Sequence, residues 1–483
     1  MRRPERKSKI VCTIGPACDS LEALTLLIEK GMDVARLNFS HGTHKTHQES
    51  IQKIRLAATN LGIPVGILID LQGPKIRTGT VEKNSIEIKA GQEIYATSNP
   101  QFKLESRGSL ENPLYISYAA LEKDLKKNEK LLLDDGLIAL EVVEASVDMK
   151  PIKLRVLYGE SIASNKGVNF PSSQLSTTGI TEKDWKDIQF AMKEDIDFFA
   201  LSFVRSEKEV RYLKDFLKEN HSQAQIISKI EKAEALENIE SIIDASDGIM
   251  IARGDLGVEI GNEKVPLIQK RLIQMAHQKA KPVITATQML MSMVKNPSPS
   301  RAEASDIANA VIDGSDALML SNETATGTYP HRSVEVMDEI IKEAEKLEAP
   351  KNLSLNARPE NLSITEAIES SAVQMSKEIK AGCIACFTQS GESARFLAKN
   401  RPIVSIFAFS TNKFILRQLC LSWGISPIPW KGSIDQEYSL FDDLMHVLKS
   451  LSLIKDGKFA ILTAGIPTIQ KAGSTNTLVV KKA

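Results

Sequence analysis

The stretch IISKIE, residues 226–231, closes an isoleucine-rich run with an ammonium and a carboxylate. Lys229 and Glu231 stand two residues apart, and side chains alternate along a strand, so both point to the same side of it. Similar polar endings recur. One apolar run closes on Arg36, Asn38, Ser40 and His41, and another on Asp70, followed by Lys75 and Arg77. Others close on Asp255, on Thr285 and Thr287, and on Ser321 and Glu323. Glu231 and Asp255 are hard oxygen ligands of the kind Mg²⁺ takes. Arg36, Arg77 and Lys229 are cations suited to a phosphoryl group. A metal and fixed cations together describe phosphoryl transfer, where catalysis is mostly positioning and charge neutralisation. In ARGDLG, glycines flank Asp255, and bare backbone N–H groups at a helix start suit a carboxylate or phosphate. A lone Lys229–Glu231 pair would be a structural ion pair; six converging polar endings are not stability features.

The elements that must gather these residues follow a repeating plan: a short apolar strand, a few polar residues, then a helical stretch. Strands are expected over 9–15, 33–40, 65–73, 197–204, 224–231, 248–254, 282–288 and 317–323. Between them, LEALTLLIEKG and VPLIQKRLIQMAHQKAK carry apolar residues at helical spacing. Eight βα units in series predict a (β/α)8 TIM barrel, with a doubly wound sheet as the rival, and a TIM barrel places its active site at the C-terminal strand ends. The third unit is interrupted by strand-rich text such as NSIEIKAGQEIYAT and KLLLDDGLIALEVVEA, too long and too patterned for a loop. The expected organisation is α/β: a first part of the barrel over 1–73, an inserted β-barrel lid domain over 74–166, the rest of the barrel over 167–346, and a C-terminal α/β regulatory domain over 347–483. Residues 347–363, rich in Pro, Asn and Ser, read as the linker to that last domain. Its strands include CIACFTQ, IVSIFAFS, KFAILTAG and TLVVKK.

Composition fits this plan. At 483 residues, with 42% hydrophobic and 25% charged side chains, the chain reads as a soluble protein of two or three domains. Lys plus Arg and Asp plus Glu are 61 each, which leaves no excess charge for a nucleic acid or a polybasic membrane anchor. No apolar run is long enough to cross a bilayer and no signal core follows the basic N-terminus, so a cytoplasmic protein is expected. Five cysteines in so long a chain are no disulfide framework. Cys383 and Cys386 form a C-x-x-C, but in one strand they face opposite sides and read as core. His41, His44 and His47 tempt a zinc reading; on a helix the outer pair diverges, and His44 and His47 read as surface residues. In TQSGESA, Thr388, Ser390, Gly391 and Ser393 sit at a strand-to-helix turn that fits a phosphate cradle and a simple N-cap equally well.

With these residues assembled, the chain resembles the pyruvate kinase family. The matching stretches are CTIGPA, ARLNFSHG, GPKIRTG, DDGLI, KGVNFP, SKIE, ARGDLGVE, TATQML, SRAEASDIANAV and LSNETATG, in the family's order, with FTQSGESARFLAKNRP in the C-terminal part. The resemblance implies phosphoryl transfer from phosphoenolpyruvate to ADP, giving pyruvate and ATP in the final step of glycolysis. It implies that Glu231 and Asp255 hold Mg²⁺, that Lys229 neutralises the transferring phosphoryl and the enolate, and that Arg36 grips the phosphoryl oxygens. Gly254 and Asp255 backbone, with Thr287, would bind the substrate carboxylate, and Thr287 and Ser321 would lie on the route that protonates the enolate. Asn38, His41, Arg77 and Lys166 would meet the nucleotide, and Asp135 would approach from the lid. A homotetramer is implied, with RAEASDIANAVIDG packing as a helix that also faces a neighbour, and so is a sugar-phosphate effector on the loop of Thr388, Ser390, Gly391 and Ser393.

One departure matters. Many members carry Thr-Lys-Gly-Pro-Glu where this chain has Leu71, Gln72, Gly73, Pro74 and Lys75. In those members the Glu accompanies a bound K⁺ beside Asn, Ser and Asp ligands. Here Asn38, Ser40, Asp70 and Leu71 form the corresponding region, and Lys75 brings an ammonium with the charge of K⁺. A unit charge about 4 Å away is worth about 4 kcal/mol at an effective dielectric of 20. The expectation is an enzyme that does not require K⁺. A second departure, Asn322 where the family usually has Gly, tightens the turn beside Ser321. Two rivals stand beside the kinase: a metal-dependent lyase acting on phosphoenolpyruvate or pyruvate, and a catalytically dead metabolite sensor. The first leaves Arg77, Lys166 and the lid without a nucleotide to hold; intact Lys229, Glu231, Asp255 and Thr287 oppose the second.

Overall fold

The computed structural model describes residues 6–146, 150–171, 173, 175–176, 179–347, 362–432, 439–466 and 475–483. The expected linker at 347–363 lies almost entirely outside the described residues. Eight parallel strands close on themselves: β1 (Lys9–Thr13), β2 (Val34–Asn38), β3 (Gly66–Asp70), β4 (Phe198–Leu201), β5 (Gln225–Ile230), β6 (Gly248–Ala252), β7 (Val283–Ala286) and β8 (Ala317–Leu320). β1 pairs with β8 as well as with β2, so the sheet has no edge and the doubly wound alternative is eliminated. The expected strands run two to four residues too long, mostly because their polar C-terminal ends have already left the sheet.

Strand alternation sorts the side chains into two layers. Ile226 and Ile230 face the surrounding helices, while Ile227 joins Val11, Val34, Leu68, Phe198 and Met250 inside the barrel. Burying a side chain such as Phe198 contributes about 1.5–3 kcal/mol, and this one is fully buried. The barrel interior is completed from below by Cys420 and Leu421 of the C-terminal domain. Backbone approaches closely there: a Cβ on Gly66 would lie 3.1 Å from both the Arg417 carbonyl oxygen and the Phe198 ring. Arg417 fastens this plug. Its Nε donates to Asp197 Oδ1 at 2.7 Å and its two terminal nitrogens donate to Asp195 at 2.7 and 2.9 Å. Arg55 reaches the other oxygen of Asp197 at 2.7 Å.

The lid rises from the loop after β3. A curled six-stranded sheet and a two-stranded ribbon enclose their own apolar core of Ile94, Leu114, Leu131, Leu140, Leu154 and neighbours. Strands Lys130–Leu133 and Ile138–Glu144 form a hairpin whose tip, Asp134, Asp135 and Gly136, has positive φ throughout. Such turns favour Asp and Gly, which is what the DDG sequence supplies. The C-terminal domain is a five-stranded sheet in the order Ile425–Pro429, Ser405–Ser410, Cys383–Phe387, Phe459–Ala464, Thr477–Lys482, the last strand antiparallel. Ile425–Pro429 was not among the expected strands; its two prolines place it at the sheet edge, where a missing N–H costs no ladder bond. Cys383 and Cys386 lie in different apolar clusters, on opposite faces of that sheet, as expected of core residues. Among the described residues no helix is long and apolar enough to cross a membrane.

Candidate active site

At the C-terminal rim the inward layer turns polar on five of the eight strands. On these an inward apolar residue is followed two positions later by a polar one: Val11 by Thr13, Val34 by Arg36, Leu68 by Asp70, Ala200 by Ser202, and Ile227 by Lys229. These five side chains bond to one another. Arg36 Nε donates to Asp70 Oδ2 at 2.7 Å and its Nη1 to Thr13 Oγ1 at 2.8 Å. Lys229 Nζ lies 3.1 Å from Asp70 Oδ1, 2.8 Å from Ser202 Oγ and 3.0 Å from Glu231 Oε1. The other Glu231 oxygen accepts the Phe203 N–H at 2.7 Å. IISKIE therefore aims its ammonium into the barrel mouth, and Glu231, one residue past β5, turns to meet it.

Burial disfavours charge here, and the neighbours decide which groups keep it. Burial pulls the Lys229 ammonium down, but Asp70 and Glu231 outweigh it and hold its pKa above the usual lysine range. Burial pushes Asp70 up, yet Lys229 and Arg36 hold it below the ordinary carboxylate value. Glu231 goes the other way: burial, reinforced by the charge of Asp255, raises it despite Lys229. Two carboxylates held in mutual repulsion fit a divalent cation, which would relieve it. Among the described residues no group of three or more His, Cys, Asp or Glu side chains is gathered as a metal cage. A two-carboxylate site completed by substrate and water is the mode typical of Mg²⁺.

Thr285 and Thr287 part company. Thr285 points out of the barrel and pairs with Ser315 at 2.7 Å, which corrects its place among the rim residues. Simple alternation would send Thr287 the same way. Instead Thr287 and Gln288 adopt φ of 70° and 55°, costly for a β-branched residue. This reversal brings Thr287 Oγ1 to within 2.9 Å of the Gly254 N–H, which donates to it at the start of helix Arg253–Ile260. Arg253 holds the turn through Thr287 O at 2.7 Å and Asp306 at 2.8 Å. Ser321 follows β8, its N–H donating to Glu323 Oε2 at 2.7 Å. The second Glu323 oxygen takes the Leu290 N–H at 3.0 Å, so one buried carboxylate ties two rim loops together. Asn322 opens the short helix Asn322–Ala325 beside it.

The other expected residues spread around this centre. Lys75, Asp135, Asp255, Phe203, Lys232 and Glu259 line one cleft between lid and barrel. Across it Asn169 of the lid donates to Glu259 at 3.2 Å, and Lys232 reaches the same oxygen at 2.6 Å. Lys75 is exposed and makes no ion pair among the described residues. Lys166 is paired within the lid to Asp134 at 2.8 Å. Arg77 sits at the lid hinge, its backbone bridged to Gly167. Asn38 Oδ1 accepts the Ser40 N–H at 3.1 Å, beside Leu71, whose carbonyl takes the Ser202 hydroxyl at 2.6 Å. His41 is exposed; His47 bonds to its carbonyl at 2.8 Å and stacks on Phe39, while His44 bonds to Asp187 at 2.7 Å. The loop of Thr388, Ser390, Gly391 and Ser393 lies in the C-terminal domain, away from the rim. There Thr388 Oγ1 takes the Gly391 N–H at 2.9 Å, and Ser393 pairs with Thr475. Thr13, Ser202, Phe203 and Arg253 were missed in the sequence, although the two-residue offset from an inward apolar position would have found Thr13 and Ser202.

Comparison with known proteins agrees with this geometry. The family model "Pyruvate kinase, barrel domain" matches residues 5–334, and "Pyruvate kinase, alpha/beta domain" matches residues 366–481. Pyruvate kinases of Bacillus licheniformis and Geobacillus stearothermophilus are each 43% identical, over 98% and 99% of this chain and 80% of their own lengths. The crystal structure of a pyruvate kinase from Cryptosporidium parvum superposes with a TM-score of 0.92 at 38% identity, covering 99% of this chain and 96% of that one. The closed barrel, its polar rim and these similarities over nearly the full length establish that the chain is a phosphotransferase belonging to the pyruvate kinase family.

Proposed function

We propose that the chain catalyses Mg²⁺-dependent phosphoryl transfer from phosphoenolpyruvate to ADP, giving pyruvate and ATP as the last step of glycolysis. The observation that carries this reading is the inward polar layer in which Arg36, Asp70 and Lys229 interlock beside Glu231. In the reaction the bond from phosphorus to the enol oxygen breaks, a bond to a β-phosphate oxygen of ADP forms, and the enolate carbon takes a proton. Arg36 Nη2 grips the phosphoryl oxygens; it has no protein partner among the described residues, while Nε and Nη1 fix its orientation. Lys229, kept protonated by Asp70, offsets charge on the moving phosphoryl and the enolate left behind. Thr287 accepts the Gly254 N–H and keeps its own proton to donate, so with Ser321 it orients the proton donor toward the carbon. The Gly254–Asp255 backbone receives the substrate carboxylate. Glu231 and Asp255 would hold the Mg²⁺, which when bound would supply positive charge to offset that of the phosphoryl group. Asn38, His41, Arg77 and Lys166 take the nucleotide, with Asp135 arriving on the lid hairpin.

Lys75 replaces K⁺ in this reading: it lines the cleft and its ammonium has no carboxylate partner among the described residues. A cytoplasmic homotetramer belongs to the same reading. So does sugar-phosphate regulation through the loop at Thr388–Ser393, which a titration shifting the substrate-saturation curve would support. The decisive experiment follows pyruvate formation from phosphoenolpyruvate with Mg²⁺, with and without ADP. Pyruvate only with ADP is expected; pyruvate without ADP would make the protein a lyase, and none in either case a non-catalytic binder.

A further inference from the structure

On the opposite side of the barrel, where its floor meets the C-terminal domain, a crevice of about 10 Å³ is lined by Lys281, Arg395, Lys399, Arg401, His277 and Asp316, among others. Four of these six carry fixed positive charge and one negative. Arg401 is the centre. Its side chain is only 6% exposed, and its backbone is held at φ 47° just past helix Glu392–Lys399. Nη2 is fully used, donating to Gly314 O at 2.6 Å and to His277, with Asp316 at 3.3 Å. Nε and Nη1 are buried without any acceptor among the described residues. A charged donor left unpaired in the interior is costly, and native proteins seldom leave one.

Two of the three surrounding cations are also short of counter-charge. Arg395 has one long contact, 3.3 Å to Ser390 O, and no carboxylate within ion-pair distance among the described residues. Lys281 donates to a backbone carbonyl, Ser246 O at 2.7 Å, and likewise has no carboxylate partner. Lys399 reaches Glu366 only at 3.4 Å. Asp316, the one carboxylate in the lining, is already consumed by the Val283 and Trp423 N–H groups, His277 and Arg401. Burial pulls Lys281, Arg395 and Arg401 all below their ordinary values, more than the surrounding carboxylates Asp247, Glu392 and Asp316 raise them.

The geometry points to an anion site at this junction, taking a phosphate dianion or the phosphoryl end of a small phosphomonoester. Two unpaired N–H groups of one guanidinium, with a second guanidinium and two ammonium groups around them, are the donor set that tetrahedral oxyanions favour. The free volume suits about one water, so the anion enters with a swing of the partly buried Lys281 and Lys399 side chains. Its ligands come from the barrel floor and the C-terminal domain together, so occupancy tightens one domain against the other. This inference is independent of the chemistry at the rim.

Trp423 provides the reporter, because the Arg401 guanidinium stacks on its ring at 4.6 Å. The intact protein is titrated at constant ionic strength with inorganic phosphate and, separately, glycerol 3-phosphate, following tryptophan fluorescence. A saturable change is expected, abolished in Trp423→Phe and shifted about tenfold to higher ligand concentration in Arg395→Gln or Lys281→Gln. Neither variant breaks the Arg401 strut, so both fold, and kcat is unaltered in both. Tighter binding of glycerol 3-phosphate assigns the site to phosphomonoesters; equal or weaker binding assigns it to free phosphate. The inference is overturned if neither ligand saturates, if the change persists unshifted in both cation variants, or if chloride at the same ionic strength produces the same response.

Discussion

Lys229→Met is the sharpest perturbation of the rim. The ammonium stands 3.1 Å from Asp70 and 3.0 Å from Glu231. At such separations each attraction is about 5 kcal/mol gross at an effective dielectric of 20, most of it cancelled by the burial of all three groups. Removing one partner of a buried ionic cluster typically costs about 3–5 kcal/mol of stability. The loss here falls at the low end, because Asp70 keeps Arg36 and Glu231 keeps the Phe203 N–H. The kinetic effect is distinct. The variant loses charge that matters most when the phosphoryl leaves, so kcat falls about 10²–10³-fold while KM for phosphoenolpyruvate changes little. Steady-state kinetics well below the melting temperature, with a melting curve alongside, separate the two losses. A KM raised tenfold at normal kcat would refute the reasoning, since Lys229 would then bind substrate and transition state alike.

Three further outcomes are expected. Thr287→Val leaves the Gly254 N–H without its acceptor and removes a hydroxyl that orients the proton donor, so kcat drops about 10–100-fold with the fold intact, as turnover assays and circular dichroism would register. If Lys75 replaces K⁺ as proposed, the wild type turns over equally in K⁺ and tetramethylammonium, while Lys75→Glu is active with K⁺ only; identical rates of the variant in both salts would oppose the replacement role. Burial pushes Glu369, in the core of the C-terminal domain, from 4.5 up to about 8. A group whose folded pKa is raised contributes stability that is whole below the unfolded value and lost as pH rises through the folded one. The wild type therefore weakens relative to Glu369→Gln between pH 4.5 and 8, by up to roughly 5 kcal/mol at 1.36 kcal/mol per pH unit, and parallel melting-temperature profiles would contradict it.

How much of this was legible in the sequence depends on the range of the interaction. The barrel strands were readable because parallel strands buried on both faces are nearly continuous apolar runs. The pairing of Lys229 with Glu231 was readable because alternation is local. Thr287 escaped that logic: its turn depends on a positive φ that no β-branched residue advertises, and only the loop around it, held by Arg253, enforces it. Thr13 and Ser202 were hidden because small hydroxyls at strand ends look ordinary until the opposing Arg36 and Lys229 are in place. The Arg417–Asp197 fastening spans 220 residues of sequence and left no local trace. The prolines of Ile425–Pro429 disguised an edge strand as a loop.

Cys420 and Leu421, seated beneath the barrel, have a consequence for how the molecule comes into being. A ribosome releasing the chain from its N-terminus finishes all eight barrel strands about a hundred residues before it supplies the stopper that seals their lower opening. Until then Val34, Leu68 and Phe198 face an unsealed end with Gly66 giving no cover. The nascent barrel therefore waits in an adhesive, incomplete form, and the emergence of the terminal domain is the event that makes it safe to leave the translating machinery.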